Sequence, residues 1–415
     1  MPHVIVAGKL HPSGHALLDA APGLTVHYID EISEESYAAH IHDADALLIR
    51  TQPMTAPTVA KAGKLRIVSR HGVGFDAVDV QALNARGIAL AVCGDVNSAS
   101  VAEHACMMIL AATKRALRGD TSVRRGPWGW RNSLQSQDLH ARNLLILGYG
   151  RIGRHTAEMM SGFGMNIRAF DPYLLGHGWP EGPVAPVLTL DEGLEWADVI
   201  SVSAPKADRP LIGAAEFSAM KDGVVIVNTA RGGIVDETAL VAALESGKVG
   251  AAGLDVFEHE PPTTDNPLLA FDQVILSPHI AGVTEGAAER MAISSARNIL
   301  AFFENDIDPA LVAKSAMSRK PELRIGVIGS GFMGKTHVFG YATAQKVFDL
   351  PYRIKLHSLA DVSDAVAQRA AQALGIEHAT SDWRAMVADP AIHVINITAP
   401  NALHKEMALA AIAAG

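Results

Sequence analysis

Short apolar runs alternate with amphipathic segments along the first hundred residues of the chain. The strand-like runs are HVIVAG, LTVHYI, ALLIR, RIVSR and IALAV, and the helix-like segments between them include SEESYAAHIHDA and AVDVQALNARG. Strands that alternate with helices build parallel sheets that are covered by helices on both faces. The pattern therefore predicts a doubly wound α/β domain at the N-terminus.

The middle of the chain begins with a longer helical pattern and then returns to the same alternation. From Ser98 the sequence SASVAEHACMMILAATKRALRGDTSVRR has helical spacing of its apolar positions, which predicts one mostly buried helix that is broken at Gly126–Trp130. Later strand-like runs are DVISVS, VVIVNTA, AAGLDVF and QVILS, and the segment from Thr284 to Asn305 predicts another long amphipathic helix. A second parallel sheet is therefore expected.

A glycine-rich turn follows the apolar run that begins at Leu144. Gly148, Gly150 and Gly153 form a G-x-G-x-x-G pattern between a predicted strand and a predicted helix, and Asp171 follows at the end of the next strand. Such a loop allows a tight turn, lets the backbone approach a pyrophosphate, and places the phosphates at a helix N-terminus. An acid in the position of Asp171 accepts from the ribose 2′-hydroxyl and repels a 2′-phosphate. The pattern predicts a dinucleotide site for NAD rather than NADP, which includes the loop residues Arg151 and Ile152.

Polar or small residues follow each of the later strands, at positions where ligands bind in open parallel sheets. These clusters are Ser203–Pro205, Thr229–Ala230–Arg231, Asp255 and Pro278–His279. Transfer of a hydride to or from a C–OH carbon needs a partner for the hydroxyl proton, and histidine suits that role near neutral pH. A carboxylate orients such a histidine, and an arginine binds a carboxylate or carbonyl. Arg231, Glu260 and His279 provide these groups, with His259 as a competing base.

Two features of the N-terminal segment are candidates for substrate binding. His71-Gly-Val-Gly74 follows a strand, and its backbone N–H groups could hold an anion, although a plain strand-to-helix turn has the same sequence character. Arg50 also ends a strand, where it could meet a substrate phosphate or remain a solvated surface arginine.

Composition narrows the class of protein further. The 415 residues are 49% hydrophobic and 19% charged with a net charge of −9, so no general basic surface that would recruit nucleic acid is expected. The two cysteines, Cys93 and Cys106, form no disulfide framework or metal-ligand cluster, which favours a reducing cytoplasm. The longest apolar stretch, around Ala105–Ala112, is too short to span a membrane, and the N-terminus lacks a signal-peptide pattern.

Residues 1 to about 312 resemble the D-isomer-specific 2-hydroxyacid dehydrogenases, especially phosphoglycerate dehydrogenase and hydroxypyruvate reductase-like members. The matching segments are HGVGFDAVDVQALNARGI, NSASVAEHA, LLILGYGRIGR, VNTARGGIVDETAL, GLDVFEHEPP and LSPHIAG. The resemblance implies that Arg231 binds the substrate carboxylate and carbonyl and that Glu260 pairs with the acid–base residue His279. It also implies contacts of Val73 and Gly74 with the carboxylate, and of Asp255 and Gly282 with the nicotinamide carboxamide.

The same resemblance implies a domain organisation and an assembly. A flavodoxin-like substrate domain would combine residues 1–100 with 284–312, and a Rossmann NAD domain would comprise 101–283. A homodimer with its nucleotide domains in contact is expected, acting on a small 2-hydroxy or 2-keto acid with NAD.

One segment of the sequence departs from the family pattern, and the residue at position 260 distinguishes a hydroxy-acid dehydrogenase from a formate dehydrogenase. Pro205-Lys-Ala-Asp-Arg-Pro210 replaces the frequent segment P-L-T-x-E-T-R and could alter the lip of the cofactor site. Formate dehydrogenases have glutamine where Glu260 stands, because formate has no hydroxyl proton to remove, so Glu260 favours a hydroxy acid. A phosphite-type dehydrogenase and an NAD-sensing binding protein of the corepressor type are the remaining alternatives.

The C-terminal hundred residues carry a second glycine pattern. After a polar linker at 313–323, Gly329, Gly331 and Gly334 follow a strand-like run, and a later strand-like run ends near Asp361. Residues 324–415 resemble the opening of the Gfo/Idh/MocA oxidoreductases and predict an incomplete Rossmann-like unit without that family's catalytic lysine motif. Met317 begins a stretch that reads as the start of a separate, truncated reading frame, which is a hypothesis that mass spectrometry of the native protein would test.

Overall fold

The computed structural model describes residues 1–313, 322–347, 350 and 352–414. The chain divides into two compact units, Met1–Ala313 and Lys314–Gly415. Most of the expected linker at 313–323, including Met317, lies outside the described residues.

The N-terminal part of the first unit is built on a parallel sheet of five strands, within residues that are all described. The strands are β1 (His3–Ala7), β2 (Thr25–Ile29), β3 (Ala46–Ile49), β4 (Ile67–Arg70) and β5 (Ala89–Ala91), in the order β2-β1-β3-β4-β5. The helices between them are α1 (Pro12–Asp19), α2 (Glu34–Ala38), α3 (Ala56–Lys61) and α4 (Val80–Ala85). This strand order is that of flavodoxin-like folds, so the predicted fold class is confirmed for this part.

A second parallel sheet of seven strands follows, again within fully described residues. Its strands are β6 (Asn143–Leu147), β7 (Asn166–Phe170), β8 (Ala185–Pro186), β9 (Val199–Val202), β10 (Val224–Asn228), β11 (Val249–Leu254) and β12 (Val274–Leu276). The order β12-β11-β10-β9-β6-β7-β8 reverses direction between β6 and β9. Ligands bind at such a switch point in doubly wound sheets, so the predicted Rossmann fold is also confirmed.

The helices of this region cover both sheets. They are α5 (Ser98–Thr113), α6 (Ala116–Arg125), α7 (Arg151–Ser161), α8 (Pro172–His177), α9 (Leu190–Trp196), α10 (Ala214–Ala219), α11 (Glu237–Glu245) and α12 (Glu285–Phe303). Met108 and Ile109 of α5 pack with Leu144 of β6, whereas Ala296 of α12 packs in a core with Val4 of β1. The chain therefore returns to the first sheet after completing the second.

The prediction of a single buried helix from Ser98 to Arg125 is wrong. Arg115 has a left-handed backbone, with φ of 54°, and this residue separates α5 from α6. Ten of the sixteen residues of α5 are buried, but Ser122 is the single buried residue of α6. Charged positions are frequent in α6, and its apolar Leu117 and Val123 are exposed, so this helix packs little against the core.

The second unit has one parallel sheet in its described part. The strands are β13 (Glu322–Ile328), β14 (Arg353–Ala360), β15 (His378–Thr380) and β16 (Val394–Ile397), in the order β15-β14-β13-β16. The helices are α13 (Phe332–Val347), α14 (Asp364–Leu374), α15 (Trp383–Val387) and α16 (Asn401–Ala414). The expected Rossmann-like topology is therefore present here as well. None of the helices in the described residues of either unit combines the length and the hydropathy that a bilayer span requires.

Candidate active site

The three glycines of the loop after β6 differ in how closely other atoms approach them. Gly148 has φ of 91°, and a Cβ there would lie 2.7 Å from the backbone nitrogen of Ala204. A Cβ on Gly153 would lie 2.2 Å from the carbonyl oxygen of Gly148, so helix α7 can approach the strand only with glycine at this position. A Cβ on Gly150, by contrast, would meet no atom within 4 Å. The loop is therefore tight at both ends and open in the middle, immediately before Arg151 and Ile152 begin α7.

Two buried hydroxyl groups add to the fit of a cofactor at this edge of the sheet. Ser203 follows β9 and Thr229 follows β10, and the side-chain oxygen of each is buried without a hydrogen-bond partner in the part of the chain that the structure describes. Buried polar groups are normally paired, and a bound polar ligand can provide the missing partner. The open space at Gly150 and these two hydroxyls fit a dinucleotide at the switch point.

Asp171 connects the glycine loop to the helix that follows β7. One carboxylate oxygen accepts from the backbone N–H of Tyr149 at 3.0 Å, and the other accepts from Leu174 N–H at 3.1 Å as the N-cap of α8. A carboxylate has about four acceptor positions, so ribose hydroxyls can still donate to it. The side chain therefore orders the loop and keeps a negative charge beside it.

The residue after β11, Asp255, is fully buried and holds the turn that carries His279. Its carboxylate accepts from the backbone N–H groups of Ile280 and Ala281, both at 2.9 Å, and from the hydroxyl of Ser277. His104 of α5 contacts the same Ser277 hydroxyl at 2.9 Å through Nε2. Sequence reasoning missed both Ser277 and His104, although His104 lies in the segment NSASVAEHA. The contact of Asp255 with a carboxamide remains a prediction.

His279 and Glu260 form a direct pair, although 19 residues separate them. His279 Nδ1 lies 2.7 Å from Glu260 Oε2, and Glu260 Oε1 accepts from Phe257 N–H at 3.1 Å. The His279 backbone is left-handed, with φ of 52°, and its N–H donates to the carbonyl of Asp255 at 2.8 Å. Glu260 therefore orients His279 and not the adjacent His259, and the ring presents Nε2 as its other nitrogen.

Arg231 lies in the loop after β10 and reaches the glycine loop after β4. Its Nε donates to Asp76 Oδ2 at 2.9 Å, and its Nη1 donates to the carbonyl of Ala230 at 2.8 Å. A Cβ on Gly74 would lie 1.9 Å from Arg231 Nη2, so the guanidinium can occupy this position only because residue 74 is glycine. Asn228 fixes the loop by accepting from Ala230 N–H and donating to the Arg231 carbonyl. Sequence reasoning missed Asp76 and Asn228.

The arginine loop and the loop with Glu260 are in contact through their backbones. A Cβ on Gly232 would lie 1.6 Å from the carbonyl oxygen of Phe257, which is three residues before Glu260. Gly282, in the turn after His279, packs in a similar way against Asn97, because a Cβ there would lie 2.7 Å from Asn97 Nδ2. Glycine at these positions brings the loops together.

Two arginines lie at the ends of strands in the first sheet, Arg50 directly after β3 and Arg70 as the last residue of β4. Arg50 Nη1 donates to the carbonyl of Lys9 at 2.9 Å, and Arg50 Nε is buried with no hydrogen-bond partner among the described residues. Arg70, which the sequence reading passed over, donates to the carbonyl of His71 at 2.7 Å. Burial lowers the pKa of Arg70 to about 10, and the positive charges of Arg231 and Arg50 lower it further.

His71 and Val73 both lie in the loop after β4. Burial, helped by the charge of Arg50, lowers the pKa of His71 to about 4, so its ring is neutral at physiological pH. Val73 lies in the same loop and is half-buried. Within the described residues, no group of three His, Cys, Asp or Glu side chains could hold a metal ion.

The second unit repeats the geometry of the first glycine loop. Gly329 has φ of 99°, a Cβ on Gly334 would lie 2.1 Å from the Gly329 carbonyl oxygen, and a Cβ on Gly331 would meet no atom within 4 Å. Asp361 after β14 accepts from the backbone N–H of Ser330 at 2.8 Å, as Asp171 does from Tyr149.

The two doubly wound sheets and the glycine loop between β6 and α7 define the class of dinucleotide-binding α/β oxidoreductases. Residues 106–281 match the family model for the NAD-binding domain of D-isomer specific 2-hydroxyacid dehydrogenases. The chain belongs to the D-isomer specific 2-hydroxyacid dehydrogenase family. Residues 323–415 match a second model, an oxidoreductase family (GFO_IDH_MocA) with an NAD-binding Rossmann fold.

Individual relatives carry different names. The chain is 38% identical over 281 residues to D-3-phosphoglycerate dehydrogenase of Archaeoglobus fulgidus, which covers 67% of this chain and 53% of the relative. It therefore spans about half the length of the curated phosphoglycerate dehydrogenases that it matches. It is 35% identical over 338 residues to glyoxylate reductase of Thermofilum pendens, which covers 79% of this chain and 99% of the relative. The crystal structure of a glyoxylate reductase from Paecilomyes thermophila is similar with a TM-score of 0.66 and 29% identity, over 76% of this chain and 98% of that one.

Proposed function

We propose that residues 1–313 interconvert a D-2-hydroxy acid and its 2-keto acid with NAD as the cofactor. The observation that carries this proposal is the His279–Glu260 pair, with Nδ1 and Oε2 at 2.7 Å, in which Glu260 lies on the loop that touches the loop of Arg231. We further propose that residues 1–100 with 284–312 form the substrate domain and that 101–283 form the nucleotide domain. The linker (313–323) and the unit at 324–415 would then lie outside this catalytic part.

The residues support a simple division of roles in keto-acid reduction. Bound NADH would supply the hydride to the keto carbon. His279, which is held through Nδ1 by Glu260, gives the proton to the carbonyl oxygen from Nε2. Arg231 polarises the carbonyl and binds the carboxylate, together with the backbone of Val73 and Gly74. In the oxidation direction the same His279 nitrogen accepts the hydroxyl proton.

NADH oxidation against a panel of keto acids tests this function. The panel contains phosphohydroxypyruvate, hydroxypyruvate, glyoxylate, pyruvate and 2-oxoglutarate, with NADPH as the control cofactor. We expect turnover of at least one acid with NADH. Binding of NADH without turnover of any acid would contradict the proposal and would favour a binding role.

The substrate side of the site favours an acid with a second anionic group. The charges of Arg50 and Arg231 act on Arg70, and Asp76 is the carboxylate that pairs with Arg231. If the substrate carboxylate binds Arg231, Arg50 and Arg70 remain for another anion such as a phosphate. We therefore place phosphohydroxypyruvate ahead of the smaller acids of the panel.

We expect Arg50→Met to raise KM for phosphohydroxypyruvate by about 10-fold or more, since a hydrogen bond to a charged group contributes about 1.5–3 kcal/mol. KM for glyoxylate, which has no second anionic group, should change less than threefold. Arg66→Met is the matched control, because Arg66 is on the same domain and lies over the Phe302 ring at 5.3 Å. Equal effects of Arg50→Met on both acids would contradict the assignment.

We expect Asp171→Ser to reduce the preference for NADH over NADPH by about 10-fold or more, because the variant loses the charge that repels a 2′-phosphate. Serine keeps an oxygen that can cap α8. Asp236→Ser is the matched control, since Asp236 is also an N-cap, of α11, through Ala239 N–H at 2.8 Å. The ratio of kcat/KM values for the two cofactors is the measurement, and an unchanged ratio would refute the role of Asp171.

We also propose that the protein is a cytoplasmic homodimer with contacts through α5 and α6. Met107, Leu117, Val123 and Trp128 are large apolar side chains that are exposed on or directly after these helices. A mostly apolar depression of about 540 Å³ is lined by Met107, Leu110 and Ala111 of α5 and by Ala116 of α6. Both cysteines are buried and free, as in proteins of a reducing compartment.

The dimer predicts that Leu117→Glu combined with Val123→Glu halves the mass seen by light scattering. Such charges would be desolvated in an apolar interface. The exposed Leu188→Glu variant, on the second sheet's domain, should leave the mass unchanged. A monomeric wild-type protein would contradict the dimer.

A further inference from the structure

The ion pair between Arg231 and Asp76 joins the two sheets of the first unit. Asp76 lies in the loop after β4 of the first sheet, and Arg231 lies in the loop after β10 of the second sheet. Arg231 Nε and Asp76 Oδ2 are 2.9 Å apart, 155 positions apart in the sequence. The Asp76 side chain is 69% exposed, so the pair is open to solvent and does not lie in a core.

The contacts of Arg231 fix its guanidinium plane. Two of its nitrogens donate to protein acceptors, Nε to Asp76 and Nη1 to the carbonyl of Ala230. The third, Nη2, lies directly against Gly74, whose backbone borders the expected substrate carboxylate site. A planar guanidinium that is held at two nitrogens presents the remaining N–H groups in one direction.

A lysine from the segment that departs from the family pattern lies beside this pair. Lys206 Nζ would be 3.4 Å from a Cβ on Gly233, which is two residues after Arg231. Burial opposes the ionisation of Asp76, but the hydrogen bond and charge of Arg231 and the charge of Lys206 lower its pKa below the usual value. Lys206 is therefore a second positive charge in the neighbourhood of the Arg231–Asp76 pair.

We propose that Asp76 is a positioning residue that aligns Arg231 for the substrate carboxylate, and that Lys206 offsets its negative charge. Without Lys206, one guanidinium would have to neutralise both Asp76 and the substrate carboxylate, and the two carboxylates would repel each other. The ion pair forms between loops of different sheets, so the alignment depends on how the two sheets meet. This inference rests on the proposed dehydrogenase function.

Steady-state kinetics of the full chain, with the keto acid that the wild type reduces best, test the proposal. Asp76→Ala should lower kcat/KM by about 10- to 100-fold, since it removes a charge-assisted hydrogen bond. Asp76→Asn should fall between this variant and the wild type, because its amide oxygen still accepts from Nε. Lys206→Ala should raise KM about 2- to 5-fold with kcat retained, since charge pairs at partly exposed sites contribute only modestly.

The matched control is Asp43→Asn, which removes an exposed carboxylate of the same domain that pairs with Lys64 at 3.2 Å. Its kinetic constants should equal those of the wild type. NADH affinity, measured by fluorescence, should stay within twofold for the Asp76 and Asp43 variants, because both residues belong to the domain of the first sheet and not to the glycine loop after β6.

A second experiment separates positioning from a merely structural role. Added guanidinium ion should partly restore the activity of Arg231→Ala, because Asp76 would hold the free ion, and this rescue should be lost in the double variant Arg231→Ala/Asp76→Ala. A lower KM in Asp76→Asn would show instead that Asp76 blocks the site. A lower KM in Asp76→Asn, or rescue that is equal in the single and double variants, would overturn the inference. A wild type that reduces no acid would overturn the proposed function itself.

Discussion

Replacement of His279 by alanine should lower kcat by about 10²- to 10⁴-fold, which is the range for loss of a general acid–base. The structure explains why the loss should be in catalysis and not in cofactor binding. Glu260 contacts His279 Nδ1 at 2.7 Å, and the glycine loop after β6 belongs to a different part of the sheet edge. Stopped-flow measurement of hydride transfer and fluorescence titration with NADH would separate the two steps.

His259→Ala is the decisive comparison for this prediction. His259 is exposed and adjacent to Glu260 in sequence, so it was the competing base, but the Glu260 carboxylate pairs with His279. We expect His259→Ala to keep near wild-type turnover. A variant pair in which His259→Ala is inactive and His279→Ala is active would reverse the assignment.

The second large effect is expected at Arg231, where alanine should lower kcat/KM for the keto acid by about 10³-fold or more. Loss of one neutral donor to a developing oxyanion costs about 10²- to 10³-fold, and Arg231 provides charge and several donors. Arg231→Lys should recover little of this, because lysine cannot donate to Asp76 and Ala230 in one plane while facing the substrate.

Arg118→Lys is the control for the lysine substitution. Arg118 pairs with Asp272 at 2.7 Å in the same part of the chain, but it lies away from the strand ends that carry the site. We expect no change in its kinetic constants. Recovery of most of the activity in Arg231→Lys would show that charge alone is sufficient.

The fold of the first unit could be predicted from sequence because the central strands of its two sheets are buried on both faces. Such strands appear as continuous apolar runs, and in a parallel sheet their carboxyl ends lie at one edge. This reasoning located Arg231 and His279, which follow β10 and β12. The prediction failed between Ser98 and Arg125. The helical spacing of apolar residues continues through this segment, but Arg115 adopts a left-handed backbone, which the sequence pattern does not indicate.

The contacts that were missed are those between distant segments. Asp76 and Arg231 are 155 residues apart, and nothing in either local sequence indicates the other. Arg70 has the sequence character of an ordinary strand end, and its electrostatic interaction with Arg50 and Arg231 joins separate segments of the chain. His104 was part of a helix that the periodicity presented as core, yet it contacts Ser277 in the turn that carries His279.

The backbone contact between Gly232 and Phe257 has a mechanical consequence. Because a single methyl group on residue 232 would lie 1.6 Å from the Phe257 carbonyl oxygen, no side chain of any size separates the two loops. One loop carries Arg231, the proposed carboxylate-binding group, and the other carries Glu260, which contacts His279 Nδ1 at 2.7 Å. We therefore expect a displacement of the Arg231 loop to press on the Phe257 backbone, so that a disturbance at the carboxylate-binding arginine reaches the carboxylate that orients His279.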